Sequence, residues 1–101
     1  MVVQVYRLTA AFPATETYRL TAQVTRSAAS VPANIAEGNA RDTTRDYAHF
    51  LAIAKGSLME TETFLLLAVR LGYLAEEKVT PTLDLVTEVS KMLTALRSRL
   101  V

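Results

Sequence analysis

Ser30-Val31-Pro32-Ala33-Asn34-Ile35-Ala36-Glu37-Gly38 places a proline, an amide, a carboxylate and a glycine inside a helical pattern. Upstream, Leu20, Val24 and Ala28 recur at steps of four. Val31 and Ile35 carry the same apolar stripe past the proline. A stripe that keeps its phase predicts one helix bent at Pro32 rather than two separate helices. The proline removes a backbone donor and crowds the carbonyl of Ala28, so the bend is expected there. Gly38 is expected to end this helix as a left-handed cap.

Working outward, Met1 to Ala11 reads as a first helix with no capping residue before it, and Phe12-Pro13 stops it. Thr15 or Thr17 is placed to cap the second helix, with Glu16 near its positive end. Downstream, Thr43 or Thr44 caps a third helix, and Asp46 stands three residues after Thr43 as a variant capping box. This helix runs to Leu71, where Gly72 stops it. One of its stripes is Tyr47, Leu51, Ala54, Leu58, Thr61, Leu65 and Ala68. A second is Phe50, Ile53, Ser57, Glu60, Phe64, Leu67 and Leu71. Two adjacent stripes make an apolar face wider than a two-stranded coiled coil needs. Ala54, Gly56 and Ser57 are small enough for a neighbouring helix to come close. The fourth helix is expected to start near Glu76 and to tolerate Pro81 in its second turn, although Thr80 capping at Pro81 is an alternative. Its stripe is Val79, Leu83, Val86, Val89, Leu93, Leu96 and Leu100.

The expected architecture is one all-α domain, an antiparallel up-down-up-down, left-handed four-helix bundle. Its helices fall at about 1–11, 15–38, 44–71 and 76–100, with the first apparently shortened, as if cut from a longer segment. The 101 residues suffice for one modest core, half of them are hydrophobic, and 3 Gly and 3 Pro leave little for sheet turns. The absence of cysteine excludes disulfides, thiol nucleophiles and thiolate metal sites and fits a cytoplasmic protein. No secretory leader is visible, and the longest apolar run, Phe64 to Val69, is far below the roughly 18 residues of a membrane span.

The Ser30 to Gly38 stretch resembles the S-[IV]-P-x-N-I-A-E-G signature of the four-helix bundle proteins linked to 23S rRNA intervening sequences. Phe50-Leu51-Ala52-Ile53-Ala54-Lys55-Gly56-Ser57-Leu58-Met59-Glu60 resembles that family's second segment. Phe12-Pro13, Arg26 and Leu71-Gly72-Tyr73 also fit, while the family's longer first helix, with its aromatic and basic beginning, is absent. The resemblance implies a left-handed bundle that assembles into a ring, typically a homopentamer. It also implies kinship with a basic pentameric accessory protein of diversity-generating retroelements, thought to engage nucleic acid and a reverse transcriptase.

Catalytic chemistry finds little support. His49 is the only histidine and lacks an orienting partner, so it is expected at the surface or an interface rather than as a general base. Ser27, Ser30 and Ser57 have no histidine beside them in sequence to activate a hydroxyl. Glu37, Glu60 and Glu62 lack the Glu-x-x-His pairs of a dinuclear bundle site, so neither metal nor cofactor is expected. Asn34, Glu37 and Glu60 lie on or beside apolar stripes, and Arg26 is two turns before Asn34. These four are expected to form a structural polar network, because a buried carboxylate must be paired.

For nucleic acid, Arg19, Arg26, Arg41 and Arg45 are the candidates. Asp42 and Asp46 offset the last two, and the net charge is only +1 with a pI near 8.1. Repetition in a ring would raise the avidity of such weak contacts. On the third helix, Ala52, Met59 and Leu66 repeat at a step of seven on the expected outer side, which marks an interface between copies. The reading is a non-enzymatic, self-assembling scaffold or adaptor, a homo-oligomer with a pentamer as first guess. The alternative is an RNA-binding accessory subunit working with rRNA or a reverse transcriptase. Neither a membrane nor a small-molecule substrate is expected as a partner.

Overall fold

The structure, a computed structural model describing residues 1–101, is all-helical. Helix α1 spans Val2–Leu8, α2 Leu20–Asn39, α3 Thr44–Arg70 and α4 Glu76–Ser98, with 3-10 turns at Thr9–Ala11 and Ala14–Glu16. The four expected helices are present; α1 gives way to a 3-10 turn after Leu8 instead of running to Ala11, α4 ends at Ser98 rather than Leu100, and two differences on α2 have a clear physical cause. The second helix begins at Leu20 rather than at a threonine cap, because Arg19 holds a non-helical backbone (φ −118°, ψ −108°). Glu16 does the capping from outside: its Oε1 accepts from the Leu20 N–H at 3.4 Å. Its Oε2 accepts the Tyr73 hydroxyl at 2.7 Å, tying the α3–α4 connection to the start of α2. This bond to a carboxylate raises the Tyr73 phenol above its ordinary pKa, as do burial and the Glu16 charge, while Arg19 pulls it back.

The second difference is at Gly38. It lies inside α2, and Gly72 is the only glycine with positive φ, so no left-handed cap forms at Gly38. A Cβ at Gly38 would stand 2.7 Å from the Phe50 Cβ and 3.0 Å from the Tyr47 ring. Glycine is needed here because α3 crosses α2 at contact distance, not because of a turn. The small residue expected to admit a neighbour, Gly56, instead faces open space, while Ala54 and Ser57 are buried. Helix α2 continues through Pro32, and α4 starts at Glu76 and continues through Pro81.

The end of α3 is a Schellman motif. Tyr73 N–H reaches the Ala68 carbonyl, Gly72 N–H reaches Val69, and Gly72 takes φ +81°. At the other end, Thr43 Oγ1 accepts from the Asp46 N–H at 3.1 Å, the cap expected from the spacing.

The first α3 stripe is the core stripe: Leu51, Ala54, Leu58, Thr61, Leu65 and Ala68 are all buried. Two apolar clusters fill the bundle. Val5, Phe12, Leu20, Val24, Ala28, Leu65, Ala68, Leu74 and Val79 form one. Val31, Leu51, Ala54, Leu58, Val86 and Leu93 form the other. A buried leucine of this kind contributes about 1.5–3 kcal/mol relative to exposure. Met1 packs against both clusters, so the short α1 covers mainly the first.

Between the clusters, α2 and α3 are joined by hydroxyls. Ser27 Oγ and Thr61 Oγ1 lie 2.8 Å apart, and Ser30 Oγ and Ser57 Oγ 2.9 Å. As residue numbers rise on α2 they fall on α3, so the two helices run antiparallel. Lys55 Nζ donates to Thr94 Oγ1 (2.8 Å) and Arg97 Nε to the Ala48 carbonyl (3.2 Å), which sets α3 and α4 antiparallel as well. The Ser27–Thr61 pair is saturated, since Ser27 Oγ also reaches the Val24 carbonyl and Thr61 Oγ1 the Ser57 carbonyl.

Urea unfolding tests both features. Gly38→Ala should lower stability by about 1–3 kcal/mol through overpacking, whereas Gly56→Ala should raise it by about 0.5–1 kcal/mol through helix propensity. Equal effects at the two sites would refute the close crossing. In a double-mutant cycle, Ser27→Ala and Thr61→Val should couple by about 0.5–1 kcal/mol, and additive losses would show that the hydroxyls do not bond.

Candidate functional site

The outer edge of the α2–α3 pair carries most of the residues with chemical potential. Ser30, on α2, bonds Ser57 across the helix contact, and Asn34 Nδ2 donates to both the carbonyl and the Oγ of Ser30 at 2.8 Å. Above these hydroxyls opens a cleft of about 160 Å³, lined only by polar residues: Gln23, Arg26, Ser27, Ser30, Ser57 and Glu60.

The four residues expected to form a polar network are therefore distributed differently. Asn34 belongs to a network, but its partner is Ser30. Glu37 pairs with Arg41, one helical turn on, at 2.6 Å, with both side chains about half exposed. Arg26 and Glu60 are exposed on the walls of the cleft, and neither forms a hydrogen bond or ion pair within the chain. Their stripe positions lie at the rim of the helix contact, where water solvates a charge and no buried pairing is needed. The network that does span the helices consists of Ser27, Ser30, Ser57 and Thr61. The sequence signal for it was hydroxyl residues in phase with the apolar stripes of two successive helices, which reads equally well as small core residues.

The arginines form a file along α2 rather than a patch. Arg19 stands at its start and Arg26 two turns in. Arg41 follows its C-terminus, about 22 Å beyond Arg26 at helical rise. Arg45 lies in the first turn of α3. Arg41 is already engaged, since besides Glu37 it sits 4.8 Å from the Phe50 ring centroid. Arg19, Arg26 and Arg45 are exposed and form no ion pair.

Ala52, Met59 and Leu66 do not lie on the outer side of α3. They lie on its flank toward α4. Ala52 lines a groove with Leu93 and Arg97, and Leu66 lines another with Val79 and Leu83. Met59 is half-buried against its own second cluster. A step of seven preserves a face, but α4 packs beside that face. The outward apolar row is the rim of the second stripe: Ile53, Leu67 and Leu71 are 39–49% exposed, with half-buried Phe50 one turn before Ile53 and half-buried Phe64 one turn before Leu67.

His49 is exposed, its ring T-shaped to that of Phe50 with centroids 5.6 Å apart, and no hydroxyl bonds to it. No group of three or more His, Cys, Asp or Glu side chains is placed to hold a metal ion. No helix is long and apolar enough to cross a membrane.

Comparison with known proteins agrees with this geometry. No curated protein matches the chain. Among solved structures, it is similar to a protein with unknown function from the S23 ribosomal protein family of Bacteroides thetaiotaomicron VPI-5482. The two share 27% identity with a TM-score of 0.83, over 95% of this chain and 87% of the other. The family model for 23S rRNA-intervening sequence protein matches residues 1–95, which include the Pro32 helix, the close crossing at Gly38 and the hydroxyl-joined α2–α3 pair. With four helices in the same arrangement and a match over nearly its whole length, this chain belongs to the 23S rRNA-intervening sequence protein family.

Proposed function

We propose that the protein is a non-enzymatic scaffold or adaptor that works as an assembly of identical chains in the cytoplasm. The observation that carries this reading is the outward apolar row of α3, Ile53, Leu67 and Leu71 beside Phe50 and Phe64. Leu66 at 46% and Met92 at 66% exposure add apolar surface on other flanks. The exposed apolar positions flank the polar Ser57 and Glu60 on both sides, and apolar side chains left open along one helix flank suit an interface that closed symmetry lets identical chains cover. A five-membered ring is the stoichiometry that the family resemblance suggests.

Light scattering coupled to size exclusion at micromolar concentration should give a mass several times the 11.1 kDa of one chain. Leu67→Glu with Leu71→Glu should return it to monomer while far-UV circular dichroism stays helical. A monomeric unmodified chain would overturn the reading.

A second reading, an RNA-binding accessory subunit, is favoured by one observation: Arg19, Arg26 and Arg45 are exposed cations without ion-pair partners. Affinity for RNA should then fall steeply between 50 and 200 mM salt, as counterion release requires. Arg19→Ala with Arg45→Ala should flatten that slope, whereas Arg41→Ala should change it less. No binding to RNA or DNA at low salt would remove this reading.

A further inference from the structure

The polar cleft on the α2–α3 edge is chemically incomplete. Ser30 and Ser57 hold two hydroxyl protons, and one bond joins them. Asn34 donates to Ser30 Oγ and so takes up acceptor capacity without supplying an acceptor for either proton. Whichever serine donates, one O–H is left without an acceptor in the chain. This contrasts with the Ser27–Thr61 pair, whose two protons have two backbone carbonyls within reach.

Arg26 on one wall is a cation with no anion in contact, and Glu60 on the other is an anion with no cation in contact. An idle O–H beside an idle guanidinium is a site for a carboxylate, because both donate and the guanidinium carries the matching charge. The chain's own Glu60 makes a bond to neither. Glu60 also belongs to the stripe whose exposed members, Ile53, Leu67 and Leu71, form the outward apolar row, so a chain that covers the row also reaches Glu60. One surface thus presents both halves of an ion pair, unmade, beside apolar area to be buried.

We infer that a second copy of this chain completes the cleft, with Arg26 of one copy and the free serine hydroxyl receiving the partner's Glu60. This rests on the self-assembly proposed above and names the surface and the pair that direct it. Every copy supplies one cation and one anion, so no charge is left over when each copy's Glu60 enters the cleft of a neighbour. Apolar area supplies the attraction, and the charge pair selects the register by making slipped contacts place like charges together.

Charge exchange tests the pair, since both residues are exposed and their reversal leaves the core intact. Arg26→Glu alone and Glu60→Arg alone should each weaken association at least about tenfold by light scattering, with unchanged helical dichroism. The doubly exchanged chain, Arg26→Glu with Glu60→Arg, should assemble to the mass of the unmodified protein. Single variants that assemble as well as the unmodified chain would overturn the inference, and so would a double variant that stays dissociated. In both cases an oligomeric unmodified chain leaves the self-assembly reading standing. A monomeric unmodified chain ends both.

Discussion

The close approach of α2 to α3 is the constraint on which the rest of the molecule depends. It requires Gly38, where any Cβ would collide with Phe50. It brings two pairs of hydroxyls within 2.9 Å of each other at a level between the two apolar clusters. A hydroxyl buried without a partner costs about 1–3 kcal/mol, whereas a matched pair contributes about 0.5–1.5 kcal/mol. The penalty for mismatch therefore exceeds the gain from matching. A slip of α3 along α2 would part Ser30 from Ser57, neither of which has a carbonyl to bond instead, while Ser27 and Thr61 would lose each other but keep the Val24 and Ser57 carbonyls. The apolar stripes alone tolerate such slips better, because leucine and alanine have no direction to satisfy.

Charge plays a lesser part in holding the bundle. The single ion pair, Glu37 with Arg41, is half exposed and one turn apart on the same segment. Such pairs are worth about 0.3–0.5 kcal/mol. The other bonds that cross between helices or loops are placed at ends and edges: Glu16 with Tyr73 at one end of the bundle, Lys55 with Thr94 and Arg97 with Ala48 along the α3–α4 edge. Most cationic side chains are consequently free of intramolecular work, and so is Glu60.

Helix α3 gives one apolar stripe to the core and leaves part of the other open. Its first stripe is consumed by the core, and its second is divided. Ser57 goes to the hydroxyl contact, Phe50 and Phe64 are half covered, and Ile53, Leu67 and Leu71 remain open. One long helix with two apolar stripes serves two neighbours at once, the bundle on one side and open surface on the other. The short α1 contributes to the same economy, since it covers mainly one of the two clusters.

The sequence by itself determined where helices form and which face of each is apolar. Periodicity is a property of one helix, and caps act within one turn. Thr43 with Asp46, Gly72 and the start of α4 at Glu76 could therefore be read directly, and the Ser30 to Gly38 and Phe50 to Glu60 stretches carried the family signature. Only the tertiary structure decided what each face meets. Gly38 reads as a cap from its position after a helical run, yet it serves a crossing whose other half, Phe50, lies twelve residues on. Ala52, Met59 and Leu66 share a face by their spacing, but where α4 lies around α3 is not written in that spacing. Arg26 and Glu60 sit beside apolar stripes, and whether such a position is interior or rim depends on the angle at which the next helix packs. Periodicity sets the phase of a helix about its own axis, and the direction and level of its neighbours are set only when the helices pack together.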